Sequence, residues 1–165
     1  MLPKMRYNQS MSISSVLFVC QANVCRSPLA AGLMRCLLRE RGLQASWRVG
    51  SAGTWAREGR AYDPLVVKIL QQRGETIFGQ ARCINGKMMV EYELVLVMER
   101  GQKEALRVEF PEHAHKVYLL SEMVGETCSI EDPSGGIWAD YERTAKTIEM
   151  YLRNGWNAIL EMSAE

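Results

Sequence analysis

Apolar positions along the chain switch between unbroken runs and a spacing near 3.6, and the switches alternate. Val16-Leu17-Phe18-Val19-Cys20 is an unbroken apolar run, which predicts a strand buried on both faces. Pro28–Arg41 carries two adjoining apolar rows, Leu29/Leu33/Leu37 and Ala30/Met34/Leu38. They predict a helix with Pro28 at its first position and Gly42 as its stop. Ala45–Gly50 predicts a second strand. Asp63-Pro64 opens a helix that runs through Arg73 to Gly74, and a short helical stretch covers Lys87–Glu91. Leu94-Val95-Leu96-Val97-Met98 predicts a third strand, Gln102–Val108 a helix, and Val117–Leu120 a fourth strand. Beyond a loop over 121–136, one long amphipathic helix is expected from Ile137 to Leu160. Trp138, Tyr141, Ala145, Ile148, Leu152 and Ile159 line its inner face.

Strands that alternate with helices predict an α/β fold, a parallel sheet between two helical layers. A chain of 165 residues suffices for one such three-layer domain and is too short for two. Residues 1–14 are expected to form a loose extension, with Met11 as a second possible start, and the domain is expected over 15–165. The apolar run after the extension is only five residues, too short for a secretory signal. The protein is therefore expected in the cytoplasm, no run approaches a membrane span, and a monomer is expected. With 20 Lys+Arg against 19 Asp+Glu, nothing favours a nucleic-acid or anionic-membrane partner. The five cysteines (20, 25, 36, 83, 128) are odd in number and include no CxxC pair. Reduced thiols are expected rather than disulfides or a zinc site. His113 and His115 are expected in a solvated turn after Pro111.

In parallel sheets the ligand site lies beyond the carboxyl ends of the strands, and Cys20 is the first such end. From it runs Cys20-Gln21-Ala22-Asn23-Val24-Cys25-Arg26-Ser27-Pro28, a C-x5-R-S spacing. The spacing alone is weak, because five cysteines in an arginine-rich chain meet it by composition. Its place between a strand and a helix gives it force. Such a loop can curl the N–H groups of Gln21, Ala22, Asn23, Val24, Cys25 and Arg26 around an anion, with the helix dipole behind them. That field favours a thiolate at Cys20, the form that attacks phosphorus. Arg26 can clamp two phosphoryl oxygens, and the Ser27 hydroxyl can donate to the sulfur.

Ester cleavage also needs a proton for the leaving oxygen and later a base for water, and one carboxyl group can serve both steps. Two Asp-Pro pairs compete. Asp63-Pro64 runs straight into a helix and reads as an N-cap. Asp132-Pro133-Ser134-Gly135-Gly136 lies on a loop after the last strand, at the same edge as Cys20, and Asp132 is the favoured acid. Cys25 can either protect Cys20 through a reversible disulfide or pack against the helix. Cys36 belongs to the core, and no role is assigned to Cys83 or Cys128.

The segment Val16–Ala30 resembles the signature of the low-molecular-weight protein tyrosine phosphatases, in its bacterial form. The resemblance continues through Gly50-Ser51-Ala52-Gly53-Thr54, Ala81-Arg82, Leu94–Met98 and Asp132-Pro133. It implies a four-stranded parallel sheet, no cofactor, and Cys20, Arg26 and Asp132 as catalytic residues. Asn23 is implied to take a left-handed conformation. Ala22 stands where the family commonly has glycine, and Gly79 where many members have a histidine supporting the loop asparagine. Asn23 is therefore expected to lean on Ser51 and Ser27. Ser134 and Gly135 replace the tyrosines that wall the substrate ring in many members, and Trp55, or less directly Tyr62, is the expected replacement. The Asp132–Gly136 segment resembles bacterial members acting on tyrosine kinases of polysaccharide export. Two rivals share the fold. Arsenate reductases need further cysteines just after the third strand, and residues 99–127 contain none. Arginine phosphatases tend to have threonine where this chain has Val24. A phosphate-binding module without catalysis would not need Cys20, Arg26, Ser27 and Asp132 together.

Overall fold

The computed structural model describes residues 13–164. Its four strands are β1 (Ser14–Cys20), β2 (Trp47–Gly53), β3 (Leu94–Val97) and β4 (Val117–Leu119). They form one parallel sheet in the order β2-β1-β3-β4. An apolar run such as Val16–Val19 has no polar face to give to water, and it occupies the internal strand with every side chain buried. The helices are α1 (Arg26–Glu40), α2 (Pro64–Gln72), α3 (Gly86–Glu91), α4 (Arg100–Glu109), α5 (Trp138–Asn154) and α6 (Trp156–Met162). On one face Val16 and Phe18 pack with Leu29, Leu33, Ile69, Ile148 and Ile159; on the other Leu17 and Val19 meet Met88, Met89 and Leu106. The register sets Cys20 beside Gly53 and Val19 beside Val97, so β1, β2 and β3 end together at one edge.

The boundaries differ from expectation for local reasons. β1 begins at Ser14, inside the expected extension, because Ser15 N–H donates to Ser163 O at 3.1 Å and its hydroxyl accepts from Glu93 N–H at 2.9 Å. The rest of that extension, residues 1–12, lies outside the described residues. α1 starts at Arg26, which puts Pro28 third rather than first. The missing N–H is harmless there too, since no donor of the first turn has an intrahelical acceptor. β2 runs later than Ala45–Gly50, because Gln44–Ser46 close into a 3-10 turn; its small residues Ser51-Ala52-Gly53 hide the strand from an apolar pattern. α4 begins before Gln102, whose side-chain oxygen accepts from Glu99 N–H at 3.1 Å and caps the helix.

The expected single C-terminal helix is two, α5 and α6, broken at Gly155. A Cβ at Gly155 would stand 2.6 Å from Met123 Cβ, so the break admits a close approach that apolar spacing does not reveal. His113 and His115 sit in a 3-10 helix, Pro111–Lys116, the first half-buried and the second exposed. Among the described residues no group of three or more His, Cys, Asp or Glu could hold a metal ion, and no helix is long and apolar enough to cross a membrane.

Candidate active site

The loop from Cys20 to Arg26 is fastened by its carbonyls. Cys20 O accepts from Thr54 N–H at 2.9 Å, Gln21 O from Trp55 N–H at 2.9 Å, Val24 O from Asp63 N–H at 2.9 Å and Cys25 O from Leu29 N–H at 3.0 Å. None of the main-chain N–H groups of Gln21–Cys25 meets a protein acceptor among the described residues. Buried N–H groups are costly to leave unpaired. A strand-to-helix loop whose carbonyls are taken by protein donors and whose N–H groups are left free can hold an anion. Gly53 permits the arrangement: a Cβ there would lie 2.5 Å from Gln21 O and 3.0 Å from Asn23 N.

Asn23 is the pivot. Its φ of 53° makes it the one non-glycine residue with positive φ among those described, a conformation asparagine tolerates better than most. The side chain is fully buried and donates to Ser27 Oγ at 2.8 Å and Ser51 Oγ at 2.9 Å. The expectation that these two serines carry it alone is incomplete. Asn23 Oδ1 also accepts from Arg82 N–H at 3.0 Å, and Arg82 Nε donates to Ser51 O at 2.9 Å. Gly79, in the place of the expected histidine, lies instead beside the Tyr62 hydroxyl. Ala22 needs no glycine, since its φ is negative.

Cys20 Sγ lies 3.0 Å from Ser27 Oγ, close enough for the hydroxyl to donate to a thiolate. Arg26 is 2 % exposed, and its Nη1 donates to Glu99 Oε1 and, at 2.7 Å, to Ile130 O. Nη2 faces Asp132 Oδ2 at 3.6 Å. Glu99 follows β3 and was missed from the sequence, although its place at the shared strand edge was a usable signal. Asp132 is 47 % exposed on the rim, where an acid can meet a leaving group. Asp63 is occupied: Oδ1 caps α2 by accepting from Leu65 N–H at 2.8 Å, and Oδ2 accepts from Tyr141 Oη at 2.7 Å. Burial, then the hydrogen bond to Asp63, push the Tyr141 phenol up to about 12, so it remains a donor. Burial also pushes the Cys25 thiol up, with the Asp132 and Asp63 carboxylates adding to the effect against Arg26. Cys25 is therefore a neutral thiol beside Cys20, and all five cysteines are free.

Trp55 is 81 % exposed and lines a surface cleft with Gln21 of the loop, Thr54 and Glu99. Tyr62 lines a different cavity, with Pro28, Gly79 and Arg82. The structure brings Cys20, Arg26, Ser27, Asn23, Ser51 and Asp132 together and leaves Tyr62 apart. Cys36 is buried as expected, Cys83 half-buried and Cys128 exposed.

The sequence pattern of the low molecular weight phosphotyrosine protein phosphatases matches residues 15–163. The chain belongs to that family. A protein-arginine-phosphatase of Bacillus subtilis is 30% identical to it over 139 residues, 84% of this chain and 91% of the relative. A probable low molecular weight protein-tyrosine-phosphatase EpsP of Ralstonia solanacearum is 34% identical over 122 residues, 73% of this chain and 79% of the relative. The crystal structure of the low molecular weight protein tyrosine phosphatase from T. tengcongensis superposes with a TM-score of 0.82 at 31% identity, covering 88% of this chain and 99% of that one. For this phosphatase-family chain, the fold and the expected strand-to-helix loop at Cys20 agree.

Proposed function

We propose that the protein hydrolyses phosphotyrosine in proteins through a cysteinyl-phosphate on Cys20. The observation that carries this is the loop itself: main-chain N–H groups with no protein acceptor, Cys20 Sγ beside Ser27 Oγ, and Asp132 Oδ2 3.6 Å from the buried Arg26. Cys20 Sγ attacks phosphorus as the bond to the phenolic oxygen breaks, and Asp132 gives that oxygen its proton. The loop N–H groups and Arg26 hold the three equatorial oxygens. Water then attacks phosphorus, its proton returns to Asp132, and the Cys20 thiolate departs, stabilised by the Ser27 hydroxyl.

Discrimination lies in the walls, since the loop treats every phosphoryl group alike. Trp55 is exposed beside Gln21 of the loop, free to pack an aromatic ring, worth about 0.5–1.5 kcal/mol. A ring also carries phosphorus farther from the peptide chain than serine does. Val24, 7 % exposed in an apolar cluster, offers no hydrogen bond to a guanidinium group. Phosphoarginine is the second reading, supported by the name of the Bacillus subtilis relative. The resemblance of Asp132–Gly136 supports a phosphorylated bacterial tyrosine kinase as substrate, and the five free thiols support a reducing, cytoplasmic setting. Three peptides differing only in the phosphorylated residue test the order by kcat/KM: phosphotyrosine highest, phosphoarginine below, phosphoserine lowest. Trp55→Ala should narrow the first gap. A wild-type preference for phosphoarginine would overturn the tyrosine reading and leave the cysteine chemistry standing.

A further inference from the structure

The two oxygens of Asp132 are not equivalent. Oδ1 accepts from Ser134 N–H at 3.1 Å and from the Ser134 hydroxyl at 2.7 Å. Oδ2 lies 3.6 Å from Nη2 of Arg26, the side chain read above as the phosphoryl clamp. A carboxylate oxygen offers about two lone-pair positions, so two donors fill Oδ1. A proton on Oδ1 would displace one of them, whereas a proton on Oδ2 displaces neither from Oδ1. We propose that Ser134 is a positioning residue for the general acid: its hydroxyl fastens Oδ1 and so assigns the transferable proton to Oδ2, the oxygen facing Arg26. The inference rests on the reading of Asp132 as the acid.

The local chain supports the role. Asp132 and Ser134 are both exposed, and an untethered exposed carboxylate spends its time in several rotamers. Pro133 is buried and anchors the main chain, while Gly136 N–H donates to Pro133 O at 2.9 Å and closes a tight turn with Ser134 and Gly135 at its centre. Arg26 faces Asp132 from the phosphate loop and the Cys25 thiol lies close enough to feel its charge. Across the neighbouring cavity stand Asp140 and Arg143 of α5, which pair with each other at 3.1 Å. Of these neighbours only Ser134 donates a hydrogen bond to Asp132. In the first step the Oδ2 proton passes to the ester oxygen as the sulfur–phosphorus bond forms. In the second, Oδ2 takes a proton from the attacking water and is restored.

The test measures kcat/KM against pH for the wild type, Ser134→Ala, Ser134→Thr and Asp132→Ala. Phenyl phosphate and 2,4-dinitrophenyl phosphate are the two substrates. Ser134→Ala should lose about fivefold on phenyl phosphate, the value of one net hydrogen bond, and less on the dinitrophenyl ester, whose leaving group needs no proton. Its alkaline limb should move to higher pH, because the carboxylate loses a donor that favours its charged form. Ser134→Thr should restore both. Equal losses on both esters, or a Ser134→Ala variant matching wild type in rate and alkaline limb while Asp132→Ala is impaired, would overturn the inference alone. An Asp132→Ala variant as fast as wild type on phenyl phosphate would overturn the acid assignment, and this inference with it.

Discussion

Replacing Asn23 with glycine and with alanine separates the work of its side chain from that of its backbone. Both variants remove the hydrogen bonds to Ser27 and Ser51 and the one from Arg82 N–H. At about 1 kcal/mol each, less what water recovers on entering the space, the loss is about 2–3 kcal/mol. Alanine must also hold a φ near 53°, at a cost of about 1–2 kcal/mol. Glycine escapes that strain but loses about 0.5–1 kcal/mol through its freer unfolded chain. The two variants should therefore unfold in urea within about 1 kcal/mol of each other, both well below wild type. Anion binding should part them. Glycine can still reach the left-handed conformation, whereas alanine relaxes out of it and turns the adjoining N–H groups away from the phosphate. Inhibition by inorganic phosphate should weaken in both and further in Asn23→Ala. A glycine variant within about 0.5 kcal/mol of wild type, with unchanged phosphate inhibition, would refute the view that this side chain holds the loop.

Three further outcomes rest on the same geometry. Asp132→Ala should slow phosphotyrosine turnover at least about a hundredfold with little change in stability, whereas Asp63→Ala should cost about 1–2 kcal/mol, through the lost cap and the stranded Tyr141 hydroxyl, and spare the rate by comparison; kinetics and urea unfolding of the pair check this. Because the Tyr141 phenol titrates higher in the folded state, at about 12 against an ordinary 10.0, its contribution is complete below 10.0 and is lost as pH rises through about 12. Tyr141→Phe should flatten that alkaline loss, read as urea midpoint against pH, and an unchanged slope would contradict the assignment. Glu99→Gln leaves Arg26 with less of its charge neutralised, so phosphate should inhibit about threefold more tightly, with stability lower by about 1 kcal/mol because the pair is partly solvated; weaker inhibition would count against it.

Much of this arrangement was legible in the sequence, and the exceptions have identifiable physical causes. Val16–Cys20 could be placed because an unbroken apolar run fits an internal parallel strand, and the first strand end then located the loop. Asp63 and Asp132 could be told apart by the residues after each proline, a helical pattern in one case and a Ser-Gly-Gly turn in the other. Ser51-Ala52-Gly53 was hidden as strand because small residues carry little apolar signal, yet Gly53 is what lets β2 approach the loop. Arg82 supports Asn23 through its main chain, which no side-chain pattern reports. Glu99 was missed for another reason: its partner Arg26 is 73 residues away, and only the sheet order brings them together. The break at Gly155 likewise answers to Met123, a distant neighbour. Apart from that small-residue strand, contacts between remote segments account for what the pattern did not show.

The central claim is that Cys20 carries the phosphoryl group. Mixing the enzyme with an excess of an activated aryl phosphate, quenching in acid within milliseconds and mapping the digest by mass spectrometry tests it directly. The account predicts one phosphoryl group on the peptide that contains Cys20, attached to sulfur, and none in the Cys20→Ser protein, which should release no burst of phenolate. A phosphorylated residue elsewhere, or turnover that persists without Cys20, would contradict it.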